Sequence, residues 1–157
     1  MTIIVRCLLH NDKDSVMDIV RDTPEFELTE VPVAEEVLDA YLESPDEEYL
    51  ALVAEIDGAV VGYICFGSIP LTLAAWDVYW LAVRRGQRGM GIGKALLTAT
   101  EERIKQAGGY LVLIETSSKP NYTPTRRFYR KNGYHKASCI HDFYAPGDHR
   151  VTFAKSL

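Results

Sequence analysis

Cysteine is scarce in this chain of 157 residues, and long apolar runs are absent. The three cysteines, Cys7, Cys65 and Cys139, form no C-x-x-C pair, which argues against a disulfide framework and against a cysteine-ligated metal. The apolar stretch of residues 69–83 is shorter than the ~20 residues of a transmembrane helix, and Asp77 interrupts it. No cationic segment followed by an apolar run stands near the N-terminus, so no secretion signal is expected. These absences predict a cytoplasmic protein that does not contact a membrane.

Positive charge is also limited. The 17 lysines and arginines are outnumbered by 22 aspartates and glutamates, which gives a formal net charge of −5. A protein that binds nucleic acid usually presents a clustered basic face, so nucleic acid is not an expected partner, whereas a small cationic substrate is compatible with this charge. The histidines lack the spacing of metal ligands, and no metal is expected (His10, His135, His141 and His149). The length predicts one domain, residues 1–157, with a hydrophobic core of its own.

Glycine, by contrast, is closely spaced in one segment, residues 88–94, with the sequence RGMGIGK. Residues 76–83 before it are aromatic and β-branched, which predicts a buried strand. Residues 95–107 after it are rich in strong helix formers, which predicts a helix. Glycine lets the backbone pass close to a ligand, and the first N–H groups of a helix lack partners within the helix. A strand, a glycine-rich turn and a helix N-terminus together predict an anion site, most naturally for phosphate.

The spacing of these glycines distinguishes between types of phosphate-binding loop. A Walker A loop requires Ser or Thr after Gly-Lys, where this chain has Ala95, and a glycine five positions before Gly93, where it has Arg88. The dinucleotide fingerprint G-x-G-x-x-G fails from either starting glycine. The pattern [QR]-x-x-G-x-[GA] is met by Arg88, Gly91 and Gly93, and it resembles the acetyl-CoA pyrophosphate loop of the GCN5-related N-acetyltransferases (GNAT). A glycine-rich turn without a ligand is the alternative.

Hydrophobic periodicity and turn residues predict the element order β-α-α-β-β-β-α-β-α-β-β. The predicted strands span residues 3–8, 49–56, 59–66, 73–84, 110–116, 134–142 and 150–154, and the predicted helices span residues 11–21, 33–42, 95–107 and 123–131. Asp57-Gly58 is typical of a tight hairpin, and residues 23–32 are predicted to form a loop or lid. This order predicts an α/β (α+β) fold in which a mixed sheet carries helices on both faces.

The same element order characterises the GNAT family, so the resemblance covers essentially the whole chain, most specifically residues 76–134. It implies a mostly antiparallel sheet of about seven strands with a splay between the two central strands, where acetyl-CoA binds as co-substrate without a metal. Backbone groups of Leu81 and Val83 are then expected to face the pantetheine and the acetyl group, with the Val83 amide polarising the thioester oxygen. The residues that the resemblance assigns to cofactor binding are Leu81, Ala82, Val83, Arg88, Gly89, Met90, Gly91, Ile92, Gly93, Lys94, Asn121 and Phe128.

A tyrosine in the helix that follows the second central strand is the expected general acid. The family pattern, an Asn followed by a small residue and then an aromatic-Tyr pair, is matched by Asn121, Thr125, Phe128 and Tyr129. The resemblance implies that Tyr129 gives its proton to the departing CoA thiolate and that Asn121 binds the pantetheine arm. Thr125 departs from the usual alanine of the family, although it is small. The alternative for Tyr129 is a core aromatic whose hydroxyl lies at the surface.

Two carboxylates compete for the role of general base, because an alkyl ammonium with a pKa of about 10.4 must lose a proton before it attacks. Asp77 stands six residues before Val83, where the histone-acetylating branch of the family has Glu. An acid among aromatic neighbours is expected to have a raised pKa, and the short Asp side chain requires a water relay. Glu115 ends the next predicted central strand, and the splay is expected to bring it near Asp77. The alternatives are a turn-capping role for Asp77 and a solvated strand end for Glu115.

Acidic and aromatic residues surround a Pro-Gly turn in residues 142–148 and suggest the acceptor site. In the family this loop often borders the acceptor. Asp142, Tyr144 and Asp148 are suited to hold a cationic amine by charge and by cation–π contact, and Trp76 is expected to contribute to the same site. A solvated hairpin turn is the alternative.

The resemblance therefore implies an acetyl-CoA-dependent N-acetyltransferase that acts by direct transfer on a primary amine of a small molecule, an amino acid or a peptide. Family members often form homodimers through the C-terminal strands, so a homodimer is compatible with the resemblance. The alternative function is an acyl-CoA-binding sensor or regulatory module without turnover. Transfer of a longer acyl group is also left open, because the sequence does not reveal the volume of the pocket.

Overall fold

The computed structural model describes residues 1–157, and one seven-stranded sheet organises the chain. The strands are β1 (Ile4–Cys7), β2 (Leu50–Ile56), β3 (Ala59–Ser68), β4 (Ala75–Val83), β5 (Leu111–Ser117), β6 (His135–Ala145) and β7 (Asp148–Ser156). They lie side by side in the order β1-β2-β3-β4-β5-β7-β6. Every neighbouring pair is antiparallel except β4 and β5, which are parallel. This sheet confirms the predicted fold class.

Four helices pack on the two faces of the sheet and cover two apolar cores. They are α1 (Lys13–Asp22), α2 (Glu30–Glu43), α3 (Ile92–Gln106) and α4 (Thr123–Lys131). On β2, Leu52 and Ala54 belong to the core under α3 and α4, whereas Ala51 and Val53 belong to the core under α1 and α2. Successive side chains of a strand point to opposite faces, so a strand that serves both cores is apolar along most of its length. None of the helices combines the length and the apolar character needed to cross a bilayer.

Two helices begin earlier than the sequence predicted. α3 begins at Ile92, within the glycine-rich segment, because Gly91 adopts a φ of +83° as its N-cap, a conformation that favours glycine. α2 begins at Glu30, and Pro32 lies in its first turn, where the missing N–H of proline removes no helical hydrogen bond. The loop between α1 and α2 therefore covers only residues 23–29.

The C-terminal hairpin is also longer than predicted. β6 continues to Ala145 and β7 begins at Asp148, so most of the segment predicted as a loop is strand. The turn is closed at Pro146 and Gly147, and Gly147 has a φ of +82°, which favours glycine. The sequence signal failed here because the Pro-Gly turn is tight and Ala145 pairs directly with Asp148, although residues 141–144 lie in a register shift without partners on β7.

The central strands β4 and β5 pair over only four residues, from Ala75 opposite Leu111 to Val78 opposite Ile114. On the other edge of β4, the register with β3 shifts so that Tyr79 has no partner, which is a β-bulge. A bulge bends its strand and increases the local twist. Beyond it β4 and β5 share no ladder, and this early end of the pairing is the predicted splay. The splay opens a wedge in the middle of the sheet.

Trp76, predicted to contribute to the acceptor site, is partly buried and packs against the core under α3 and α4. It precedes the bulge and shares the face of Val78, which belongs to the core under α3 and α4. Its ring packs against Phe66 with 6.2 Å between the centroids. The indole also rests on the backbone of Gly109, because a Cβ at that glycine would lie 2.5 Å from Nε1 of Trp76. Trp76 therefore fixes the start of β4 against the end of α3.

We expect Gly109→Ala to lower the free energy of unfolding by about 1–3 kcal/mol, the usual cost of overpacking a core. The added Cβ would lie 2.4 Å from Cγ2 of Ile104 and 2.5 Å from Nε1 of Trp76, so the indole must shift. Gly86→Ala is the matched control, since nothing lies within 4 Å of its Cβ position, and its effect should stay below about 0.5 kcal/mol. Urea denaturation followed by tryptophan fluorescence measures both variants, and equal stabilities would contradict the packing role of Trp76.

Candidate active site

The wedge between β4 and β5 opens into a cleft with a volume of about 1080 Å³. Its walls are the ends of β4 and β5, the glycine-rich segment 88–94, α4, and the loop 23–29. This volume slightly exceeds the range of about 300–1,000 Å³ that is usual for small-ligand pockets, so the cleft can hold a large or extended ligand. Most of the residues that the sequence predicted for the site line it, namely Asp77, Leu81, Ala82, Val83, Arg88, Gly89, Gly91, Ile92, Gly93, Lys94, Glu115, Phe128, Tyr129, Tyr144 and Asp148.

The glycine-rich segment presents open backbone to the cleft. Gly89 and Gly91 have φ values of +79° and +83°, which L-residues rarely adopt, and nothing lies within 4 Å of a Cβ built on either residue. Gly91 is the N-cap of α3, and its carbonyl accepts the N–H of Ala95 at 3.0 Å. The three N–H groups between them, those of residues 92–94, have no partner within the helix. They form a ready-made site for an anion at the positive end of the helix dipole.

The end of β4 offers a second row of backbone groups. Arg84, the residue after β4, donates its N–H to the carbonyl of Val61 on β3 at 2.7 Å. The backbone groups of successive residues in a strand point to opposite edges of the strand. The N–H groups of Val83 and Leu81 therefore point away from β3, toward the edge that β5 has left and that lines the cleft.

Tyr129 lies on α4 and is 6 % exposed, with its side chain at the cleft wall. Its ring packs against Phe128 and Phe153, at centroid distances of 5.6 Å and 5.8 Å. Burial raises the pKa of the Tyr129 hydroxyl well above its ordinary value. The hydroxyl is therefore protonated at neutral pH, which is the state that a proton donor requires.

Two carboxylates lie on one face of the sheet at the cleft. Asp77 pairs in register with Leu113, so Glu115, two residues further along β5, shares its face. Burial, and then the negative charge of Glu115, raise the pKa of Asp77 to about 6, against the opposing effect of Arg150. Glu115 is more open to solvent, with a side chain that is 46 % exposed, and its Oε1 lies 3.8 Å from Nη1 of Arg150. Asp77 is thus the carboxylate with the more perturbed environment.

Three further predicted residues, Met90, Asn121 and Asp142, lie outside the cleft wall. Met90 is exposed in the glycine-rich segment, and Asn121 is exposed in a short 3-10 turn. Asp142 has a φ of +56°, and its Oδ1 accepts the N–H of Gly147 at 2.8 Å, so its carboxylate closes the C-terminal hairpin. Motif spacing fixes the element that carries a residue, whereas the direction of its side chain depends on local turns that spacing does not encode.

The loop 23–29, which we call the lid, lines the cleft, and its partners were not predictable from local sequence patterns. Glu25 forms a two-pronged ion pair with Arg88, with Nη1–Oε1 at 2.8 Å and Nη2–Oε2 at 3.0 Å. Tyr122, which follows β5 in the chain, donates its hydroxyl to the carbonyl oxygen of Glu25 at 2.7 Å. The lid therefore contacts both the glycine-rich segment and the opposite wall. These contacts join residues 63 and 97 positions apart, so no local pattern could have identified them.

The opposite wall of the cleft is held together by a second set of polar contacts. Lys119 pairs with Glu27 of the lid at 2.8 Å, and its Nζ lies 3.7 Å from Oδ2 of Asp148. Ser117, at the end of β5, donates a short hydrogen bond to Asp148 Oδ1. Asp148 is thus a buried residue that links the start of β7 to the end of β5, and one of its carboxylate oxygens is hydrogen bonded to Ser117.

Comparisons with known proteins identify relatives of this chain. The model of the acetyltransferase (GNAT) family matches residues 13–134. An uncharacterized N-acetyltransferase of Methanocaldococcus jannaschii is 36% identical over 108 residues, which cover 66% of this chain and 64% of that protein. The match therefore spans less than two thirds of the length of that relative.

Solved structures share the whole architecture. A crystal structure described as a GNAT-family acetyltransferase of Desulfovibrio desulfuricans superposes with a TM-score of 0.94 at 32% identity, and 99% of each chain is covered. An aminoglycoside 6'-N-acetyltransferase complexed with coenzyme A superposes with a TM-score of 0.77 at 21% identity, covering 98% of this chain and 96% of that one. At that identity the second likeness concerns the fold.

We expect the carboxyl group of Asp77 to titrate with a pKa of about 6. Glu115→Gln removes a neighbouring negative charge and should lower this pKa, although burial keeps it above the ordinary value of about 3.9. Arg150→Gln removes a stabilising positive charge and should raise it, so this variant is the control of opposite sign. Carbon-13 NMR of the side-chain carboxyl group measures all three values. A shift of the same sign in both variants would contradict the electrostatic account.

Proposed function

Because this chain belongs to the GNAT family of acetyltransferases, we propose that it transfers an acetyl group from acetyl-CoA to a primary amine in one direct step. The acceptor is an amine of a small molecule, an amino acid or a peptide. One observation carries the proposal: the start of α3, Tyr129, Asp77 and Glu115 all line a single cleft. An anion site, a proton donor and a base are the groups that this reaction requires.

The proposed binding site for the pyrophosphate of the donor is the segment 88–94. The unpaired N–H groups at the start of α3 and the positive end of its dipole suit an anion. Arg88 and Lys94 add positive side chains beside these groups. The proposed place of the pantetheine arm and thioester is along the end of β4, where the N–H groups of Leu81 and Val83 lack a strand partner. The Val83 N–H is then the proposed hydrogen-bond donor to the thioester oxygen.

The proposed chemistry uses the two titratable groups in turn. The acceptor enters as an ammonium, and the carboxylate of Asp77, through a water molecule, takes a proton from it. The neutral amine attacks the thioester carbon, the C–N bond forms and the C–S bond breaks. Tyr129 gives its proton to the departing sulfur, which leaves CoA as the free thiol. The nitrogen of the new amide loses its second proton, which restores the Tyr129 hydroxyl through a water molecule, and Asp77 releases its proton to solvent. A base with a pKa of about 6 is ionised at neutral pH, and a buried tyrosine with a raised pKa is protonated, so both groups start in the required state.

We expect the native chain to bind acetyl-CoA, and we expect Gly91→Val to weaken this binding at least about tenfold, or about 1.4 kcal/mol. Valine is strained at a φ of +83° and places a branched side chain at the mouth of the anion site. Gly58→Val is the matched control, because Gly58 has a φ of +81° in equally open space but lies in the β2–β3 turn. Calorimetric titration measures both variants, with NAD as the control ligand.

A folded native chain that binds no acetyl-CoA would overturn the proposed function. Equal loss of affinity in the Gly58 and Gly91 variants would show instead that the strain, and not the site, is responsible. Either result would return the glycine-rich segment to the status of a structural turn.

We expect Tyr129→Phe and Asp77→Asn each to lower kcat by about 100-fold, the typical contribution of a general acid or base, while the Kd for acetyl-CoA stays nearly unchanged. In the native chain kcat/KM should fall as the pH drops through about 6, because protonated Asp77 cannot accept a proton. Thiol release in the presence of a panel of amines measures these rates. A sensor without turnover would release no thiol with any amine. If Asp77→Asn retains full activity, Asp77 is not the base, and a loss of activity in Glu115→Gln would then identify Glu115 as the base.

A further inference from the structure

The lid is held to the glycine-rich segment by a single ion pair. The two terminal nitrogens of Arg88 donate hydrogen bonds to the two carboxylate oxygens of Glu25. This bidentate arrangement is the strongest geometry available to an arginine–carboxylate pair. The Glu25 side chain is only 15 % exposed, whereas that of Arg88 is 42 % exposed. A carboxylate that is largely withdrawn from water depends on its partner, and the pKa of Glu25 is accordingly lowered, chiefly by Arg88.

Arg88 is also the first residue of the segment whose backbone suits an anion. In the structure the Nη1–Nη2 edge of its guanidinium is already taken by Glu25. Glu25 lines the same cleft as residues 92–94, so an anion bound at those residues would share the cleft with the negative charge of Glu25. Since like charges repel more strongly in a partly enclosed site than in water, and since Glu25 already occupies Arg88, Glu25 and an incoming diphosphate cannot both use Arg88 without cost.

We infer that Glu25 competes with the diphosphate of the donor for Arg88, so that donor binding releases the lid from the glycine-rich segment. This inference rests on the function proposed above. The other wall keeps its hold on the lid, because the Tyr122 hydroxyl and Lys119 are not part of the anion site. The lid then pivots about that wall, and Phe26, which lines the cleft, moves with it. Glu25 is thus a positioning residue that makes access to the acceptor side depend on the donor.

The test measures CoA affinity by calorimetry in Glu25→Gln. Glutamine keeps the shape of the side chain and removes its charge, so we expect CoA to bind about tenfold more tightly than to the native chain. Glu27→Gln is the matched control, because it removes the same charge from the same lid but breaks a pair with Lys119, away from Arg88. Its effect on the Kd for CoA should stay below twofold.

A second ligand separates charge competition from a general opening of the cleft. Acetyl-pantetheine carries the thioester and lacks the diphosphate, so it should bind equally to the native chain and to Glu25→Gln. Hydrogen exchange gives the structural readout: CoA should speed exchange of the amides of residues 23–29 in the native chain, and acetyl-pantetheine should not.

The outcomes are distinguishable. If the native chain binds no CoA, the proposed function fails and this inference fails with it. If the native chain binds CoA and Glu25→Gln binds it no more tightly, the proposed function stands and the inference is overturned. Slower exchange of the lid with CoA, or an equal gain in affinity for acetyl-pantetheine, would overturn it in the same way.

Discussion

The early end of the β4–β5 ladder is the constraint on which the site depends. Two parallel strands that stop pairing after four residues leave backbone N–H and C=O groups without partners in the middle of a sheet. Such groups are costly when they are removed from water unpaired. An extended ligand with amide groups of its own, such as a pantetheine arm, is suited to complete the hydrogen bonding. The bulge at Tyr79 makes this possible while the rest of β4 stays paired with β3.

The cleft also explains how an acidic chain can be suited to a polyanionic donor. The formal net charge of −5 opposes anions at long range, but binding is decided by the local arrangement of charge. Arg88, Lys94 and the start of α3 line one part of the cleft, and Asp77 and Glu115 line another. The first part suits the anionic donor of the proposed reaction, and the second part suits its cationic acceptor. Screening by salt acts weakly on such partly enclosed charges.

Features that follow from local patterns were predictable from the sequence. The element order, the tight hairpin at Asp57-Gly58 and the bounds of α4 rest on periodicity and turn residues, and the structure has all three. The packing of Trp76 could not be predicted, because its neighbours Phe66 and Gly109 are distant in the sequence. The partners of the lid could not be predicted either, because ion pairs between distant segments leave no periodic trace. The catalytic and binding roles of the residues at the cleft stay predictions.

Gly93 has a consequence that reaches beyond the backbone of its own loop. A Cβ at this position would lie 3.1 Å from Cζ of Phe128, so the absence of a side chain allows α4 to lie directly against α3. Phe128 immediately precedes Tyr129, and a side chain at position 93 would require the Phe128 ring to shift by a few tenths of an ångström. Position 93 thus couples the packing of the glycine-rich segment to that of α4. A substitution in the proposed anion site is therefore also felt in the helix that carries the proposed proton donor, so the two parts of the site are not independent of each other.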